Sequence, residues 1–189
     1  MNNTLDMTKG SIYKILLIFS IPLLIGNIFQ LLYSLIDSAI SSHLIGSLAL
    51  GAIGATAAVN SLIISFSSGM GSGASIIISR FFGEKNNDGI KKSIASIIII
   101  NIILALIITL GIALTTDPIL EALNVSSDIY QMARDYFIVT IYGLITTMMF
   151  NTLSGILRAL GNSRMPIYTL MISCVINILG DLFFISVCN

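Results

Sequence analysis

Charge is scarce in this chain. Asp, Glu, Lys and Arg make up 10% of its 189 residues, against about 25% in ordinary soluble domains. The nine basic and nine acidic side chains cancel, and no basic patch interleaved with aromatics is left to attract nucleic acid. The single histidine, His43, stands in a short linker without a Cys, His or acidic cluster, which makes it a poor metal ligand. The two cysteines, Cys174 and Cys188, lie 14 residues apart on one predicted helix. At 1.5 Å per residue that is about 21 Å, too far to bridge. They read as small apolar fillers. Long polar linkers are also missing, so no extramembrane domain is expected. No cofactor is implied, and no catalytic constellation stands out to suggest an enzyme.

What fills the chain instead is apolar, with 56% of residues hydrophobic. A membrane span needs about 20 mostly apolar residues, and five such runs are present, near 15–40, 49–79, 92–115, 133–157 and 166–188. The expected fold is all-α, a polytopic transmembrane helix bundle of about five spans. Lys9 and Lys14 precede the first run as they would in a signal peptide. That run exceeds the usual apolar core of such a peptide, and no small-residue cleavage site follows, so it is expected to be a retained first span.

Eight of the nine Lys and Arg residues fall on one side of this plan: Lys9, Lys14, Arg80, Lys85, Lys91, Lys92, Arg158 and Arg164. The opposite linkers hold Asp117, Glu121 and Asp128, with no basic residue before Arg134. The positive-inside rule then puts the N-terminus in the cytoplasm. The expected location is a bacterial cytoplasmic membrane, crossed several times, with lipid as the surrounding partner.

Two acids lie inside apolar runs. A carboxylate at membrane depth costs roughly 3 kcal/mol on insertion scales, and such residues usually face a bundle interior or a water-filled path. In the first run Asn27, Gln30, Ser34, Asp37, Ser38 and Ser41 share an arc of about 100° on a helical wheel. In the last run Asn177 and Asp181 are neighbours at i and i+4, and Pro166 opens the run as proline does at a helix start. Asp181 lies about 22 Å of rise beyond Pro166, in the outer half, as Asp37 does. The pair reads either as the lining of one cavity, or as an interfacial cap at Asp37 and structural polar contacts at Asn177 and Asp181. The segment from Gly69 to Ser75 lacks the Gly-Lys-Ser of a phosphate loop. Close helix packing is its expected role.

Several of these residues carry a resemblance. Pro22, Asn27, Phe29, Gln30 and Asp37 have the spacing of the first helix of multidrug and toxic compound extrusion (MATE) transporters. Ser79-Arg80-Phe81-Phe82-Gly83-Glu84-Lys85 is similar to that family's Gln-Tyr-Phe-Gly-Ala-Lys stretch. The segment Gly155 to Pro166 resembles its Gly-x-Leu-Arg-Gly-x-Gly-Asp-x-Arg-x-Pro loop, and Asn177-x-x-x-Asp181 resembles its fifth helix. The resemblance implies an N-terminal lobe in which Asp37, Asn177 and Asp181 form a cation or proton site approached by Tyr136. Asn27, Gln30 and Ser34 would line its cavity. It also implies a secondary antiporter exporting drugs or organic cations in exchange for Na⁺ or H⁺.

The sequence departs from the family in places. Arg80 stands where many members have Gln, and Ser41-Ser42-His43 replaces the usual Gly-Arg or Gly-His. The family has two six-helix lobes. This chain reads as one incomplete lobe, expected to be inactive unless a second lobe or another copy completes it. A non-transporting small membrane protein or remnant, and an exporter of lipid-linked sugars, remain alternative readings.

Overall fold

The computed structural model describes residues 12–44 and 46–188; for part of the first helix and the end of the last it describes backbone without side chains. These residues form seven helices and no strand: α1 (Ile12–Leu44), α2 (Ser47–Gly83), α3 (Asn87–Leu114), α4 (Thr116–Ala122), α5 (Ser127–Tyr142), α6 (Leu144–Ala159) and α7 (Arg164–Cys188). Among the described residues α2 and α3 are each long and apolar enough to cross a membrane, and the bent pair α5–α6 passes the same test only when taken together as one span. The described apolar stretches of α1 and α7, Leu24–Ile40 and Arg164–Gly180, are shorter.

The bundle is apolar outside, and it draws several polar side chains in among its apolar core. Leu62, Ile76, Ile107 and Val139 are exposed, whereas Thr56, Ser67, Asn101 and Thr152 are fully buried. Lipid selects this arrangement, because a polar side chain facing hydrocarbon finds no partner.

Helix α6 packs most extensively on α2 and also against α3. Where α2 and α6 cross, Gly71 and Gly155 bring the two backbones together. Small residues allow such an approach, which in lipid is a main source of helix association. Gly69 and Gly73 have open space around them, so of the three glycines in that segment Gly71 makes the crossing. Ala74, Ile78, Ile97, Ile156 and Ala159 fill the seam toward one end. Ala105, Leu144 and Met148 fill its middle.

The passage expected over 133–157 begins earlier and is bent. It starts at Ser127, and α5 meets α6 at Gly143 with a 43° change of direction. Glycine weakens a helix at such a point, and Thr147 adds a side-chain bond from its hydroxyl to the Gly143 carbonyl (3.2 Å), a contact that favours bending. Helix α4 was not foreseen. Asp117 and Pro118 open it as helix-starting residues do, and Leu120 buries itself against Ala52 and Ala133.

Helices α1 and α7 come from opposite ends of the described chain. They pack side by side, with Gly26 facing Ile167.

Candidate functional site

The α6–α7 turn shapes the site. Gly161 adopts φ +84°, a left-handed conformation that glycine takes without strain. The Asn162 N–H thereby reaches back to the Leu157 carbonyl (2.9 Å) and closes α6. The Asn162 side chain accepts the Met165 N–H (3.2 Å), which leaves Ser163 buried at the entrance of α7.

Between α1, α2, α6 and α7 lies a cleft of about 430 Å³. From α1 it is lined by Gly26, Asn27 and Gln30, and from α2 by Ile64 and Ser68. The α6 wall contributes Thr147, Asn151, Ser154 and Arg158. Their spacing of four, three and four residues puts them on one helical face. Ser163, Pro166, Ile167, Leu170 and Ser173 close the α7 side.

The α6 wall is held from behind by hydrogen bonds. The Asn151 amide donates to the Ser67 hydroxyl (2.9 Å) and to the Thr147 carbonyl (3.1 Å), and the Ser67 hydroxyl donates to the same carbonyl (3.4 Å). One helical face away, the buried Asn101 amide donates to the Thr152 hydroxyl and to the Met148 carbonyl (3.4 Å), tying α3 to α6. Such bonds fix the rotation of α6, and with it which side chains face the cleft.

At the opposite end of the bundle, Arg134 on α5 grips Asp117 on α4, with Nε 2.7 Å from Oδ1, and the Tyr130 hydroxyl adds a bond of 3.3 Å. The Arg134 hydrogen bond, more than any other influence, holds the Asp117 carboxyl below the ordinary carboxylate value.

The residues singled out from the sequence fall in different places. Asn27 and Gln30 are exposed on α1 and line the cleft. Ser34 is exposed one turn further on. Tyr136 is partly buried on α5 and Asn177 is partly buried on α7, and neither lines the cleft. The Asn177 Oδ1 is buried without a hydrogen-bond partner. The side chains of Asp37 and Asp181 lie outside the described residues, as does that of His43. The helical backbone fixes their heights alone. Asp37 is 11 residues past Gly26 and Asp181 is 14 past Ile167, so both positions lie about 16–21 Å of rise beyond the Gly26–Ile167 contact, on neighbouring helices.

Of the lining residues only Asn27 and Gln30 are site residues by sequence, and the α6 wall is the main omission. Arg158 entered the sequence argument only through loop charge and motif, and Asn151 and Ser154 not at all. Their signal was the polar face of α6, the same kind of stripe that marked α1.

The family profile MatE matches residues 22–183, most of the chain. The chain belongs to the MatE family. Curated relatives include the probable multidrug resistance proteins YpnP and YoeA of Bacillus subtilis. YpnP is 29% identical over 96% of this chain and 41% of its own length. YoeA is 27% identical over 93% of this chain and 38% of its own length. A solved multidrug resistance MATE family transporter of the MOP superfamily, in an outward-facing conformation, superposes with a TM-score of 0.86. It is 28% identical, over 93% of this chain and 39% of that one. The MatE chain described here thus spans about two fifths of the length of these relatives. Within the span, fold and sequence agree with one lobe of such a transporter.

Proposed function

We propose that this MatE chain forms one lobe of a secondary antiporter that exports drugs or organic cations in exchange for Na⁺ or H⁺. The observation that carries the reading is the continuous family match over 22–183, which takes in the polar face of α1 and the Asn177–Asp181 pair. The names of the relatives support drug export, and the open cleft between α1 and α7 supports a path lined by amides and hydroxyls. Asp37, Asn177 and Asp181 are the coupling site in this proposal. A carboxylate at that depth either binds a proton or, with amide and hydroxyl oxygens beside it, offers hard ligands to Na⁺. Asp37→Asn and Asp181→Asn, placed in a two-lobed protein containing this chain, each abolish cation-coupled dye efflux at equal expression. Undiminished efflux in both variants defeats the reading.

The proposed orientation puts the N-terminus and the Arg80–Lys92 and Arg158–Arg164 segments in the cytoplasm, by the distribution of Lys and Arg. Impermeant thiol reagents added outside intact cells then label a cysteine introduced at Ser126 and spare one introduced at Glu84. The reverse pattern inverts the orientation.

A further inference from the structure

The cleft contains a feature that cation export does not use. Among the described residues Arg158 is the sole charged one to line the cleft, and none of them lines it with a carboxylate. The other arginines behave differently. Arg134 is paired with Asp117 and Arg80 with Glu84, while Arg164 is exposed to solvent. Arg158 is partly buried and its guanidinium makes no ion pair or hydrogen bond among the described residues. Withdrawing a guanidinium from water without a counter-charge is costly.

Two hydroxyls share its surroundings. Ser154 lies one turn before Arg158 on the same face of α6, and Ser163 stands immediately ahead of α7. Ser154 is 4% exposed and Ser163 is 5% exposed, and both line the cleft. Neither hydroxyl has a hydrogen-bond partner among the described residues, although serines elsewhere in the bundle, such as Ser72 and Ser79, bond back to their own helix. Two hydroxyls of otherwise buried serines and one guanidinium, all lining the same cleft, are thus left with unused bonding capacity. The backbone adds little, because the Met165 N–H is already taken by Asn162 and Pro166 has none. The positive end of the α7 dipole only reinforces the sign.

We infer that Arg158, Ser154 and Ser163 form an anion site at the α6–α7 end of the cleft, and that it takes a phosphate group. The guanidinium fork matches two phosphate oxygens and the hydroxyls donate to a third. A phospholipid headgroup and a small soluble phosphate compound carry the same chemistry. The site is separate from Asp37 and Asp181, and it stands whether or not those acids couple transport.

The test measures binding, so it is independent of efflux. The chain is purified in maltoside micelles, which contain no phosphate, and its melting temperature is followed on adding either sodium phosphate or phosphatidylglycerol. Sodium chloride at matched ionic strength is the reference. One of the two phosphate sources raises the melting temperature, and the source effective at lower concentration identifies the ligand type. Arg158→Gln weakens the apparent affinity about tenfold or more, as loss of a bidentate charged contact does. Ser163→Ala, which removes one oxygen from a turn fixed by Gly161 and Asn162, weakens it several-fold and guards against misfolding of the arginine variant. Arg164→Gln, at an exposed neighbour of the same charge, leaves it unchanged. The inference is overturned if neither source shifts the native protein. It is also overturned if the shift survives in Arg158→Gln, or if Arg164→Gln loses it equally.

Discussion

Gly155 of α6 rests directly on the backbone of Gly71 of α2. A side chain placed on Gly155 would meet the Gly71 carbonyl group, with the carbonyl carbon at 2.8 Å, and one placed on Gly71 would meet the Asn151 carbonyl carbon at 3.0 Å. Both obstacles are backbone, so neither can swing aside.

Gly155→Ala therefore forces α2 and α6 apart. Over-packing of this kind costs about 1–3 kcal/mol, and it loosens the seam that orients Asn151 and Arg158. Thermal unfolding in detergent shows a clear drop for Gly155→Ala. Gly73→Ala, two residues from Gly71 but in open space, leaves the midpoint unchanged. Equal midpoints for both variants contradict the close crossing.

A second prediction concerns the buried pair Asn101 and Thr152. Both are fully buried, and their bond joins α3 to α6. Hydrogen bonds between membrane helices average about 0.6 kcal/mol in double-mutant cycles and reach about 1.7 kcal/mol. Asn101→Ala and Thr152→Val each destabilise the bundle, and the cycle between them yields a coupling in that range. A coupling of zero means the two side chains do not interact in the membrane.

Much of this architecture could be read from residue pattern, because lipid makes the code simple. Apolar length marked the helices, and small or polar residues marked their contacts. Hydropathy reports the apolar middle of a helix, though, and not its ends. Helix α2 runs on to Gly83 past the expected end at Ser79, since Arg80 and Glu84 continue it with a pair of their own at i and i+4. The bend at Gly143 was invisible for a related reason: the apolar pattern continues through it, and only the backbone changes direction. Helix α4 escaped because its seven residues are too few to show a period. At the cleft, Asn27 and Gln30 were legible because α1 is otherwise apolar. Asn151, Ser154 and Arg158 were not, since α6 also carries polar residues on another face, such as Thr152, which bonds Asn101 of α3.

The Asp117–Arg134 contact predicts a pH dependence at the far end of the bundle. The Asp117 carboxyl titrates below its ordinary value of 3.8, chiefly because Arg134 donates a hydrogen bond to it. A depressed folded-state value means the unfolded chain takes up the proton first. The contact's contribution is complete above the unfolded value, near pH 4, and is lost as pH falls through the lower folded value. Both side chains are partly open to solvent, so the effect is small. Native protein melts higher than Asp117→Asn at pH 6, and the gap closes on acidification below about pH 4. A gap that widened in acid would reverse the sign and exclude the contact as its cause.

The last prediction concerns residues 1–189 expressed by themselves. Asn27, Gln30 and Ser34 are exposed along α1, on a helix whose packing within the bundle is against α7 and α2. In a transporter built from two lobes this polar face meets an opposing wall across the substrate path, and alternating access comes from one lobe rocking against the other. Alone, the same face meets lipid, where unpartnered polar groups are costly. Cells expressing only these residues are expected not to export a fluorescent cation. The escape is pairing of two copies. Two copies carrying the same charge asymmetry take one orientation in the membrane, as parallel repeats require, so the outcome is decided by measurement. If such cells did export the dye against its gradient, and Asp37→Asn stopped them, two copies of this lobe would constitute the transporter.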